Sequence, residues 1–203
     1  MKTPALILAS ASPRRVELLR QLRVDFQIAP AGVREVEEPQ LSAVETARIN
    51  AYRKARAAAG KHPDAVVLGV DTVVALGGAL FGKPATLGEA EIMLLTLQGK
   101  THRVVTGVCL YFLRERRRKI FTEETAVTFR PLTRKQIRSY HAQVNPLDKA
   151  GTYGIQEKGE MLVESLSGSR TNVIGLPLER LAAELPAFGV RLPKIQSKSN
   201  SHK

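Results

Sequence analysis

Residues 65–76, AVVLGVDTVVAL, decide the architecture. All but Gly69, Asp71 and Thr72 are apolar, and five of the twelve are valine. A β-branched run of this kind, without helical spacing, predicts a strand. Apolar residues on both of its faces predict a central strand covered on both sides, as in an α/β sheet. Asp71 interrupts the run. Aspartate is depleted from strands, and an ionised carboxylate buried there must be paired or bound to a metal. Asp71 is thus either an aspartate that ends one strand at a bend, or a metal ligand or general base. Gly77 and Gly78 then supply a hairpin turn, and FGKP, residues 81–84, returns.

The pattern around this strand alternates in type. Upstream, residues 5–9 form a short apolar strand. Ser12 is a natural N-cap and Pro13 a natural first helical residue, and Val16, Leu18, Leu19 and Leu22 give the helix its apolar side. Residues 25–29 read as a second strand, and GVREVEEPQ, residues 32–40, as a polar loop. Ser42 with Glu45 forms a capping box opening a helix of about 17 residues. Val44, Ala47, Ala51, Ala55 and Ala58 line its buried face, and Gly60 is expected to stop it. Downstream, Thr86 with Glu89 predicts a second capping box, before a helix carrying Ala90, Met93, Leu94 and Leu97 and ended by Gly99. HRVVTGVCLYFL (102–113) and IFTEETAVTFR (120–130) are two strands around a basic tip. Thr133 with Gln136 caps a third helix through about residue 143. AGTYGIQ (150–156) is a loop, MLVESL (161–166) a short strand, SGSRTN (167–172) a polar turn, and Pro177 opens a last helix toward Leu185.

The 203 residues, 43% hydrophobic, suit one α/β domain with two lobes. No apolar run approaches the roughly 18 residues of a membrane span, and the N-terminus lacks a signal-peptide pattern. Cys109 is the only cysteine, so no intrachain disulfide forms, which fits a reducing cytoplasm. The net charge of +12 invites a nucleic-acid reading. However, the tail RLPKIQSKSNSHK (191–203) and the tip RERRRK (114–119) each contribute +4, which leaves +4 for the remainder. The tip is expected to be the solvated end of a hairpin and the tail a disordered terminus.

Two adjacent arginines, Arg14 and Arg15, follow Pro13 at a helix start. That end already carries partial positive charge, so cations there are unfavourable unless an anion is present. Lys83 lies between Gly82 and Pro84, more constrained than a surface lysine, although the P-loop spacing is absent. Lys54, taken alone, is an ordinary helix charge, and Glu35 an ordinary loop acid. Gln156 has an amide able to donate to and accept from a base edge. The four histidines show no metal spacing, and no Gly-x-Ser-x-Gly elbow supports a serine hydrolase. Arg14, Arg15, Lys54 and Lys83 are the cations a polyphosphate needs. Glu35 and Asp71 are the hard oxygen donors a divalent ion needs.

The segments LASASPRRVELL (8–19), VLGVDTVV (67–74), GKP (82–84), HRVVTGV (102–108), TFRPLT (128–133), DKAGTYGIQ (148–156) and NVIGLPL (172–178) together resemble the Maf family of house-cleaning nucleoside triphosphate pyrophosphatases. The resemblance runs from residue 6 to about 185. It implies an α/β fold of the Maf/ITPase-like kind: a long mixed twisted sheet with flanking helices, and two lobes around a central cleft. Residues 1–190 would form one catalytic domain. The reaction implied is hydrolysis between the α- and β-phosphates, with a divalent metal, magnesium or manganese, and commonly a homodimer. Asp71 matches the family's catalytic aspartate and Glu35 an acid near the metal and water. Ser10, Ser12, Arg15, Lys54 and Lys83 match phosphate-binding positions. Arg14, Thr72 and Gln156 match the positions that separate a dTTP- and UTP-preferring branch from one preferring 7-methyl-GTP. The chain has no tryptophan to stack on a cationic purine. Departures from the family pattern are Arg34, Asn145 and Arg170. Two rival readings remain: a nucleic-acid-binding protein using the basic tip and tail, and a catalytically weak regulatory protein of cell division.

Overall fold

The computed structural model describes residues 3–36 and 38–193. Among these residues seven strands form one mixed sheet: β1 (Leu6–Leu8), β2 (Phe26–Ile28), β3 (Val66–Leu76), β4 (Ala79–Phe81), β5 (Thr101–Phe112), β6 (Arg117–Phe129) and β7 (Val163–Ser167). Their order is β2-β1-β3-β5-β6-β7, with β4 added to β3. β2, β1 and β3 run parallel, whereas β3 to β7 are antiparallel. The long strands β3, β5 and β6 pass through both lobes and join them.

The detail that makes the site is on one edge of β3. β1 pairs with its first three residues, ending at Leu8 opposite Leu68. β4 pairs with its last three, beginning at Phe81 opposite Val74. Between them, among the described residues, no strand lies beside residues 69–73, and the sheet splits open at Asp71. One apolar core lies on the β1 side of the split, around Leu8, Leu68, Leu110 and Leu181. A second lies on the β4 side, around Val74, Leu94, Phe129 and Tyr140. These are the two lobes, and the cleft between them is the gap.

Among the described residues six α-helices cover the sheet: α1 (Pro13–Gln21), α2 (Ala43–Lys61), α3 (Leu87–Leu97), α4 (Arg134–His141), α5 (Arg170–Ile174) and α6 (Leu178–Glu184). α2 approaches the sheet unusually closely. A Cβ on Gly69 would stand 2.2 Å from the Ala51 carbonyl oxygen, and one on Gly107 2.3 Å from that of Ala47. The alanine face predicted for this helix therefore rests directly on two glycines of adjacent strands. Any side chain there would lift α2 off Asp71.

Several local expectations are corrected. Gly60 does not stop α2, which continues to Lys61 and is capped at His62. Pro63 follows, and a residue before proline is pushed out of the helical region. Thr86 does cap α3, but Glu89 accepts from the Ala85 amide instead of closing a box. α4 ends at His141, not near residue 143. The polar turn at 167–172 contains the start of α5, because the Ser169 hydroxyl accepts the Asn172 amide and nucleates a helical turn. The Ser12 side chain makes no cap bond.

The basic tip is a hairpin end, as expected, and most of its charges have partners. Arg114 pairs with Asp64, Arg117 with Glu115, and Lys119 with Glu184. Arg117 stacks on Phe188 and Arg118 on Tyr52. Residues 194–203 of the basic tail lie outside the described residues. Among the described residues, no helix is long and apolar enough to cross a membrane.

Candidate active site

The gap opens into a cavity of about 460 Å³, within the range that holds small-molecule ligands. All ten candidate site residues line it: Ser10, Ser12, Arg14, Arg15, Glu35, Lys54, Asp71, Thr72, Lys83 and Gln156. They come from every part of the chain, and the elements place them by simple rules. Strand alternation sends Asp71 and Thr72 to opposite faces of β3. Asp71 faces α2, and Thr72 faces α1.

On the α2 side, the Lys54 ammonium is 2.7 Å from Asp71 Oδ1 and 2.6 Å from Glu35 Oε1. It also donates to the Val70 carbonyl at 3.4 Å, a backbone group left without a strand partner by the gap. Asp71 is buried and Lys54 largely so, whereas the Glu35 side chain is 37% exposed. That difference separates the two acids. Burial pushes the Asp71 carboxyl up, outweighing the attraction of Lys54, and the charge of Glu35 pushes in the same direction. Burial also acts upward on Glu35, but Lys54, with Lys83 and Arg15 behind it, holds Glu35 below the usual carboxylate range. Two carboxyl groups on one cation are thus driven apart in proton affinity, the arrangement that assigns different roles to chemically similar acids.

On the α1 side, Arg15 is pinned by three bonds. Its Nε donates to the Gly175 carbonyl at 3.0 Å, Nη1 to Ser10 Oγ at 3.1 Å and Nη2 to Thr72 Oγ1 at 3.1 Å. Burial lowers its pKa, opposed by Asp71 and Glu35. The Thr72 hydroxyl also shares a hydrogen with Thr106 at 3.0 Å. Thr72, expected against the base, accepts from Arg15 and lines the cavity. Three of the five guanidinium N–H groups of Arg15 are used, leaving two. Lys83 has no ion-pair partner among the described residues and faces the same cavity.

At the far end, Arg14 is held by Asp148: Nη1 meets Oδ2 and Nη2 the backbone carbonyl, both at 3.0 Å. Asp148 is shared with Lys149, itself buried and bonded to the Asn145 carbonyl and to Glu157. Burial acts upward on Asp148, but the bonds from Lys149 and Arg14 bring its pKa down. Gln156 is exposed at the cavity wall nearby. Asp148 and Lys149 open the DKAGTYGIQ segment, and nothing in the sequence names their partners. Asn50, which donates to Asp71 Oδ2 at 3.3 Å, was not picked out at all. Its signal was a polar residue on the alanine face of α2.

A divalent ion suits the donor chemistry only in one way. Among the described residues no cluster of three or more acids, histidines or cysteines could cage a metal. The pair Glu35 and Asp71 supplies two hard oxygen donors. Magnesium is commonly held by one or two carboxylates completed by substrate phosphates and water. The residues fit an ion that arrives with a polyphosphate.

The Maf-like protein family pattern matches residues 5–188 of the chain. A dTTP/UTP pyrophosphatase from Symbiobacterium thermophilum is 48% identical over 184 residues, covering 91% of this chain and 94% of that protein. Proteins of the same description from Pelotomaculum thermopropionicum and Carboxydothermus hydrogenoformans are 45% and 46% identical. They cover 91% and 90% of this chain, and 96% and 97% of their own lengths.

Proposed function

The chain belongs to the Maf-like protein family, and from that premise we propose that it hydrolyses dTTP and UTP to the nucleoside monophosphate and pyrophosphate. The observation that carries the reading is Lys54 held between Asp71 and Glu35 in the gap of the sheet, opposite Arg15 at the start of α1. The first-turn amides of α1 and the guanidinium of Arg15 face an anion together. Lys83 and Lys54 complete the cationic wall. Ser10 and Ser12 line the same loop.

Water attacks the α-phosphorus in line with the bond to the bridging oxygen, that bond breaks, and pyrophosphate leaves. Asp71, made more basic by burial, takes up the proton of the attacking water. Glu35, kept ionised by Lys54, orients that water. Arg15, Lys54 and Lys83 stabilise the charge that moves onto the pyrophosphate. Magnesium or manganese held by Glu35 and Asp71 would neutralise phosphate oxygens and acidify the water. Chelation is then expected to abolish turnover, and either ion to restore it.

The base end supports a pyrimidine. Thymine and uracil present two carbonyls and one N–H. Arg14 donates to a carbonyl through the N–H groups that Asp148 leaves free, and the Gln156 amide donates to one group and accepts from its neighbour. An arginine here also repels the cationic ring of a 7-methylguanine. The proposal extends to a homodimer in the cytoplasm, which light scattering and cell fractionation check. The decisive experiment is a panel of dTTP, UTP, CTP and 7-methyl-GTP with magnesium or manganese, read as monophosphate plus pyrophosphate. We expect dTTP and UTP to exceed 7-methyl-GTP by more than ~10-fold in kcat/KM, because a mispaired polar pocket discriminates strongly. Arg14→Trp and Gln156→Ala should narrow that ratio. Orthophosphate as the product, or a preference for 7-methyl-GTP, refutes the reading.

A further inference from the structure

One turn of α2 grips three consecutive residues of the loop that carries Glu35. Arg53 donates to the Arg34 carbonyl at 3.4 Å, Lys54 pairs with Glu35, and Asn50 holds Val36. Positions 50, 53 and 54 share one face of a helix. Of these three, Asn50 is the most deeply placed, at 3% exposure. Its Oδ1 accepts the Val36 amide at 2.7 Å. Its Nδ2 donates to the Val36 carbonyl at 3.1 Å and to Asp71 Oδ2 at 3.3 Å. Both amide hydrogens and the oxygen are engaged.

Nothing about helix formation or packing asks for an asparagine here. It is a poor helix former, and its neighbours on the buried face, Ala47, Ala51 and Ala55, are the small apolar residues that the close approach to the sheet demands. Among its described residues, the loop between β2 and α2 has no ladder of its own to fix it. Its backbone at Val36 is held from both sides by one side chain, and the same side chain reaches the buried carboxylate.

We propose that Asn50 is a positioning residue of the reaction, setting the separation of the Glu35 loop from the Asp71 strand so that both carboxylates meet on Lys54. The inference rests on the pyrophosphatase reading given above. Asn50 touches no substrate atom; it acts through Glu35 and through the orientation of the Asp71 carboxylate, leaving Oδ1 of Asp71 turned toward Lys54. Misplacement by an ångström in such a site can lower turnover by about 10²-fold, so a partial loosening should cost about tenfold.

The test uses Asn50→Leu, of similar volume but without hydrogen bonds, and Asn50→Ala, which favours the helix and keeps the chain foldable if leucine does not. We expect kcat for dTTP to fall about tenfold with KM within about threefold, because the phosphate cations and base contacts stay in place. In a Glu35→Gln background the same change should lower kcat by clearly less than in the parent, about threefold, because only the route through Asp71 remains and residues acting as one unit are not additive. A merely structural asparagine would give equal losses in both backgrounds, and that result overturns the proposal, as does unchanged kcat in Asn50→Ala. Hydrogen exchange at the Val36 amide supplies a readout independent of turnover. It should be slow in the parent and fast in Asn50→Ala, while the β5 amides keep their protection. Fast exchange at Val36 in the parent overturns the clamp even if dTTP is hydrolysed. A protected Val36 in a parent that releases no pyrophosphate instead sinks the pyrophosphatase reading.

Discussion

Replacing Lys54 by methionine separates charge from shape. The apolar stem stays, and the ammonium that lies 2.6 Å from Glu35 and 2.7 Å from Asp71 is lost. What remains is two carboxylates sharing a site, with Arg15 and Lys83 as the remaining cations that act on Glu35. Breaking a buried pair by removing one partner costs about 3–5 kcal/mol. Only part of that applies here. The Glu35 side chain is 37% exposed and is resolvated, so the penalty falls on buried Asp71. A discounted loss of about 2 kcal/mol follows. For a chain of this size that lowers Tm by about 4–8 °C. Turnover should fall by about 10²-fold or more, the scale of a lost, preorganised charge on a leaving phosphate. Calorimetry near neutral pH and pyrophosphate release measure the two effects. Adding Asp71→Asn to Lys54→Met removes the stranded carboxylate. The double variant should recover most of the lost Tm and stay at least about 10²-fold slower than the parent, because the proton acceptor is gone as well. A Tm for Lys54→Met within about 1 °C of the parent would refute the electrostatic argument, given the sensitivity above. So would a double variant less stable than Lys54→Met.

Gly107→Ala places a Cβ 2.3 Å from the Ala47 carbonyl oxygen. Overpacking of this kind costs about 1–3 kcal/mol, and because α2 must lift, kcat should fall together with Tm; a fully active variant of parental stability would show that the helix does not rest on the sheet as described. His102 is buried with Nε2 2.8 Å from the Tyr153 hydroxyl, and burial brings its pKa down to about 4. The folded state thus stays neutral while the unfolded chain takes a proton below pH ~6.5, so stability should be lost as pH falls from about 6.5 to about 4, by up to about 3 kcal/mol. Urea melts of His102→Gln across that range should show a shallower acid dependence than the parent, and parallel curves would remove His102 as the cause. Deleting residues 194–203 should leave dTTP hydrolysis within about twofold, since every cavity-lining residue precedes position 176. A collapse in activity would give the tail a role in the site.

How much of this was legible depends on how far each feature reaches along the chain. β3 was readable because its own composition states that both faces are covered. The gap at residues 69–73 was not, since no single strand says which neighbour takes which half of its edge. Gly60 was read as the stop of α2, but the helix runs on to Lys61 and ends ahead of Pro63. At 167–172 the same serine chemistry serves turns and helix caps alike, so a short helix was hidden in a turn. Lys54 looked like any helix charge because its partners stand 19 residues before it and 17 after it. Only the resemblance to a family joined them beforehand. The partners of Asn50 were hidden for the same reason, as was the contact of Thr72 with Arg15, which spans 57 positions. Arg14 and Arg15 show what remains after the contacts are known. Two adjacent arginines at a helix start call for an anion. Arg14 has one already, in Asp148, whereas Arg15, among the described residues, is in direct contact with neutral oxygens only. The cation of the pair without a bonded carboxylate is therefore Arg15, which lines the same cavity as Lys54 and Lys83. On the proposed reading a polyphosphate would be drawn there, and its base would meet an arginine whose orientation Asp148 has already set.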